Sequence, residues 1–187
     1  LYQKYSFTPA DIQSQIDSLK DIKEDFVNNI FKRLNLNILN KKKAKMDLDI
    51  FLEKFISIKE NVQTEIVVKK SKFICNLIKI ESQEEAEEYI KKIKRKYYDA
   101  RHNCVAYRVI ENEQVVEKSS DDGEPSGTAG GPMLNILQKN NLGNILVVVT
   151  RYFGGILLGT GGLVRAYSDA TLDAIDISEK VEKCIGI

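Results

Sequence analysis

Tryptophan is absent, histidine occurs once and cysteine three times. Cys75, Cys104 and Cys184 form no C-x-x-C pair, and an odd number argues against a disulfide framework. With His102 as the single imidazole, a Cys/His zinc site is nearly excluded; no metal and no cofactor are expected. Neither sign of charge dominates. The chain has 28 Lys+Arg and 27 Asp+Glu, for a net charge of +1. That excludes a globally basic nucleic-acid coat and an acidic tail protein, but leaves room for a local basic patch. No apolar run reaches the ~18 residues of a membrane span. No charged-then-apolar leader follows Leu1. A cytoplasmic protein without a membrane partner is expected. Glycine is missing from the first 122 residues, and ten of the 11 fall between Gly123 and Gly162.

What is present is an ordinary globular mix, 43% hydrophobic and 29% charged over 187 residues. Residues 1–45 stand apart, with nine basic and five acidic side chains. Thr8-Pro9 with Asp11 reads as a helix start. Ile12, Ile16, Leu19, Phe26, Ile30 and Leu34 give one apolar stripe, a candidate surface for self-association. The run Lys41, Lys42, Lys43 and Lys45 reads as a solvated connector, and Met46 as an alternative start. Leu48, Phe51, Leu52 and Phe55 suggest a second short helix. The expected division is a helical extension over 1–57, an α/β domain over 58–176, and the opening of a further domain over 177–187.

Within 58–176 the patterns alternate. Thr64–Lys69 and Phe73–Ile80 read as strands. Ser82 with Glu85 is a capping box opening a helix with Ala86, Tyr89, Ile90, Ile93 and Tyr97 on one face; the Tyr97-Tyr98 pair reads as helix-end packing. Cys104–Ile110 and Gln114–Lys118 read as a hairpin, Pro132–Leu137 as the start of a helix, and Thr160–Asp176 as another helix. Ile145–Val149 is uninterrupted apolar sequence, suited to a strand buried on both faces. The order describes an α/β two-layer sandwich: a mixed sheet with helices on one face, plus the N-terminal helical segment.

Two glycine-rich stretches, 119–132 and 151–168, each link a strand to a helix. Glycine admits positive φ and close approach, and free N–H groups at a helix start can hold an anion. Candidate partners for such an anion are the hydroxyls of Thr128 and Thr160 and the charges of Arg151 and Arg165. The glycines concerned are Gly123, Gly127 and Gly130 in the first stretch. In the second they are Gly154, Gly155, Gly159, Gly161 and Gly162. Neither a P-loop nor a G-x-G-x-x-G pattern occurs. The simpler alternative is that these glycines pack loops and end elements. Asp121, Asp122 and Glu124 are candidates for general-base or cation duty, or for plain turn chemistry. His102 and Cys104 share one strand face, which fits a nucleophile pair or ordinary core packing.

The stretches His102-Asn103-Cys104 with Ala106-Tyr107, Ser120 to Gly130, and Val148-Val149-Thr150-Arg151-Tyr152-Phe153-Gly154-Gly155 through Tyr167 together resemble the IMPACT family, in its bacterial YigZ-like branch. The resemblance runs over about residues 56–176. It implies the two-layer α/β fold of the second domain of a small ribosomal-subunit protein. It also implies a link to translation, since the eukaryotic relatives are regulators that restrain the kinase responding to amino-acid starvation by binding its activator. No catalytic residues carry over. Two functions follow. The first is a non-enzymatic module contacting RNA, the ribosome or a translation-associated protein through the glycine-rich surface. The second is an enzyme on a phosphorylated or small-molecule substrate. The lack of a complete catalytic constellation favours the first.

Overall fold

The computed structural model describes residues 54–111 and 114–184. The expectations for the stripe at Ile12–Leu34, the lysine connector, Met46, Leu48, Phe51 and Leu52 lie outside them. So does self-association through the N-terminal helix. The described residues belong to one unit beginning at Glu53.

Among the described residues ten elements follow in order. They are β1 (Lys54–Ile58), β2 (Val62–Val68), β3 (Ser71–Lys79), α1 (Gln83–Lys96) and β4 (His102–Glu111). Then come β5 (Gln114–Ser120), α2 (Gly130–Lys139), β6 (Ile145–Tyr152), α3 (Thr160–Ile177) and β7 (Lys180–Cys184). β2 and β3 form a hairpin around Lys69-Lys70, both at positive φ, as a two-residue turn requires. The expected capping box forms in its first half: Ser82 Oγ accepts from Glu85 N at 3.1 Å, while Glu85 reaches back one residue further, accepting from Glu81 N at 2.8 Å rather than from Ser82 N.

The α/β class holds, with three differences in detail. First, the five-stranded sheet, in the order β2-β3-β6-β4-β5, is antiparallel throughout rather than mixed. Second, helices cover both faces. Phe73, Cys75, Leu77, Cys104, Ala106, Val147 and Val149 pack under α2 and α3. Ile78, Ile80, Val105, Tyr107, Leu146 and Val148 pack under α1. The central strands are apolar at successive positions, so each face needs its own cover. Third, Phe55 lies in a strand, not a helix. β1 pairs antiparallel with β7, from Lys54↔Cys184 to Ile58↔Lys180. Residues 180–184 are therefore tied to this unit by backbone pairing. No helix among the described residues is long and apolar enough to cross a membrane.

The antiparallel ladder gathers five chain segments at one end of the sheet. These are the Lys69-Lys70 turn, the start of β4, the end of β5, the end of β6, and the loop into α3. Both glycine stretches lie there.

Candidate functional site

Across the sheet end, Phe73 of β3, Arg151 of β6 and His102 of β4 stand in one row, because Phe73 pairs with Arg151 and Arg151 with His102. Side chains in register share a face. Tyr167 of α3 and Glu124 of the first glycine stretch close over the row. Glu124 Oε1 accepts from Arg151 Nη1 at 2.6 Å and from the Tyr167 hydroxyl at 2.9 Å. The side chains of Glu124 and Arg151 are 4% and 7% exposed. The guanidinium lies 5.5 Å from the Phe73 ring and 5.6 Å from that of Phe153, a cation–π placement that offsets part of its desolvation. Phe73 in turn meets Tyr167 edge-on at 5.2 Å.

His102 is mostly buried beside this pair. Its Nδ1 lies 2.9 Å from the Asp122 carbonyl, which can only accept, so Nδ1 carries the proton. Nε2 then faces Glu124 Oε2 at 4.0 Å. Cys104 is buried on the same face, as expected, and its thiol donates to the Asp121 carbonyl at 3.0 Å. Burial, with the nearby carboxylates adding to it, pushes the thiol pKa up to about 12. A thiolate nucleophile is therefore disfavoured at neutral pH. Burial likewise raises the Tyr167 pKa, which keeps it a neutral donor.

The first glycine stretch does hold an anion, and the anion is its own. Asp121 Oδ1 accepts from Ala129 N at 2.9 Å and Gly130 N at 2.8 Å, and Oδ2 accepts from Gly127 N at 2.8 Å. The N–H groups that would cradle a phosphate at the start of α2 are filled by this carboxylate. Burial alone would raise the Asp121 pKa; the three backbone donors outweigh it and hold the group below the ordinary aspartate value. A depressed folded pKa stabilises the fold above the unfolded value and loses that contribution as pH falls through the folded one. Wild type should therefore exceed Asp121→Asn by roughly 1–3 kcal/mol near neutral pH. The gap should close in acid below about pH 4, as urea unfolding across pH will show.

The other acids are also engaged. Asp122 accepts from Asn103 N at 2.7 Å and pairs with Lys94 at 2.6 Å. Thr128 Oγ1 donates to the Pro125 carbonyl at 2.6 Å. Gly123 packs on the His102 ring. Gly130 is needed for close approach, since a Cβ there would meet the Ser120 backbone at 2.6–2.9 Å.

The second stretch is different. Gly154 packs on the Lys70–Ser71 backbone. Beyond it the chain is largely exposed. Gly155 and Gly159 take positive φ, and Thr160, Gly161 and Arg165 face solvent. Arg165 has no ion pair or hydrogen bond among the described residues. Phe153, Ile156 and Leu157 are exposed large apolar side chains, Leu157 at 82%. Between α2 and α3 lies an open groove of about 480 Å³ lined by Gly127, Gly131, Ile136, Val164, Ser168 and Leu172 among others. Arg151 and Arg165 thus do not act together: one is neutralised in the interior and the other is free on the surface. Two further residues join the buried Arg151 cluster without a local sequence signal. Ser71 Oγ accepts from Gly154 N at 3.2 Å and Arg151 Nη2 at 3.4 Å, brought there by the pairing of β3 with β6, and Tyr167 is brought by the packing of α3.

The domain model described as the Impact N-terminal domain matches residues 69–175. The chain is 48% identical over 132 residues to the IMPACT family member YvyE of Bacillus subtilis, covering 71% of this chain and 60% of that protein. It is 45% identical over 109 residues to YigZ of Escherichia coli, covering 58% and 53%. It therefore spans just over half the length of these relatives. A crystal structure of a hypothetical protein superposes with a TM-score of 0.64 at 39% identity, covering 71% of this chain and 65% of that one. The matched span contains both glycine stretches and the whole buried polar row, and on this evidence the chain belongs to the Impact N-terminal domain family.

Proposed function

We propose that this domain is a binding module in translation control, working in the cytoplasm, and that loop 153–159 with the start of α3 is its contact surface for a protein of the translation machinery. The observation that carries the reading is the division of labour between the two glycine stretches. In the first, Asp121, Asp122, Glu124 and Thr128 are taken up by the chain's own donors and acceptors. In the second, Phe153, Ile156 and Leu157 stand in solvent, and Arg165 in the α3 that follows is uncommitted. Three exposed apolar side chains in one loop with a single uncommitted arginine suit a protein partner better than an RNA backbone, which asks for several cations. The translation link rests on the family.

Purified ribosomes supply the test. The chain is expected to co-sediment with them, and Leu157→Asp to weaken binding about tenfold or more with an unchanged thermal midpoint. Failure of the wild-type chain to sediment, or a Leu157→Asp chain that sediments equally, overturns the reading.

A further inference from the structure

The charge of α1 is strongly ordered. Glu84, Glu85, Glu87 and Glu88 occupy its first half. Residues 91–101 then carry Lys91, Lys92, Lys94, Arg95, Lys96 and Arg101 against the single acid Asp99. The helix dipole favours this order and accounts for Lys94, Arg95 and Lys96 in the last turn. It does not account for Arg101, beyond the helix. Nor does it account for Tyr98, which is 84% exposed. Helix-end packing holds for Tyr97, which packs against the core beneath α1, but not for Tyr98.

Several cations in this stretch have partners. Lys94 pairs with Asp122 and Lys92 with Glu88, while Lys96 donates to Gln63. Lys91, Arg95 and Arg101 are exposed, with no ion pair or hydrogen bond among the described residues. Lys91 and Arg95, four residues apart, share the outer face of the helix. Tyr98 follows one residue after the C-cap Tyr97. Uncommitted cations and a bare aromatic ring within the one stretch 91–101 are what a single strand needs: charge for the phosphates and a flat face for a base.

We propose that the C-terminal half of α1 and the turn after it form a docking surface for single-stranded RNA. Lys91, Arg95 and Arg101 meet phosphates, and Tyr98 stacks on a base. The choice of RNA rests on the translation reading above; the surface rests on charge and exposure and does not involve loop 153–159.

The test uses the full chain and a fluorescent oligouridylate of roughly 12 nucleotides, titrated from low to moderate salt. Three phosphate contacts predict a log–log salt slope of about −2. Lys91→Glu/Arg95→Glu/Arg101→Glu should weaken binding about tenfold or more and flatten that slope. Tyr98→Ala should weaken it by between about fivefold and a hundredfold and leave the slope unchanged; Tyr98→Phe should bind as wild type. Leu157→Asp should bind RNA normally, which separates failure here from failure of the protein-partner reading. No binding at low salt, a Tyr98→Ala chain equal to wild type, or equal affinity for duplex RNA or for phosphatidylserine vesicles would overturn the proposal.

Discussion

Arg151→Ala is expected to remove about 3–5 kcal/mol of folding free energy, read from urea unfolding at neutral pH. Glu124, 4% exposed in the intact domain, would keep Tyr167 as its one hydrogen-bond donor among the described residues. An uncompensated buried carboxylate is far costlier than the intact pair is favourable. The change also strips the surface that covers Phe73. For a domain whose whole stability is of the order of 5–15 kcal/mol, this is a large share. The double variant Arg151→Met/Glu124→Leu should recover much of the loss, because it removes both charges together. A single-variant loss below about 1 kcal/mol would put the pair in the class of weak surface bridges and contradict the burial described here.

Gly154→Ala is the second large effect. A Cβ at this position falls on the backbone of Lys70 and Ser71, which cannot move without opening the β2–β3 turn. The same shift breaks the bond from Gly154 N to Ser71 Oγ. The cost should reach or pass the roughly 3 kcal/mol upper end of ordinary overpacking. Gly161→Ala is the control. Its Cβ meets nothing within 4 Å and its φ is not positive. In the first turn of α3, alanine should be neutral or stabilise by up to about 1 kcal/mol. Thermal or urea unfolding of the two variants side by side distinguishes glycines that pack from glycines that do not. Equal effects would remove the distinction.

The sequence made the local features legible and hid the long-range ones. The helix cap at Ser82, the strand at Ile145 and the helix from Thr160 follow from short-range chemistry, and each forms. Phe55 was unreadable as strand because its partner, Lys183, lies 128 positions away. The second helical layer was implied by the apolar run in β6, yet its source, α1, is fixed only by the crossover from β3 to β4. The two glycine stretches do link strand to helix, β5 to α2 and β6 to α3. What spacing could not tell is that Asp121 fills the first as an internal anion, or that β6 sits between β3 and β4 and so carries Arg151 into the interior. Arg151 and Arg165 look alike in the sequence and have opposite surroundings in the fold.

In the proposed division of labour the buried polar row holds the domain together while loop 153–159 makes the contact. Ribosome co-sedimentation of Glu124→Gln and Leu157→Asp, each checked to be folded at the assay temperature, tests it most directly. Glu124→Gln is expected to lose stability and keep wild-type binding, whereas Leu157→Asp keeps stability and loses binding. The reverse pattern, with binding lost at Glu124 and retained at Leu157, would contradict it and place the working chemistry in the buried row.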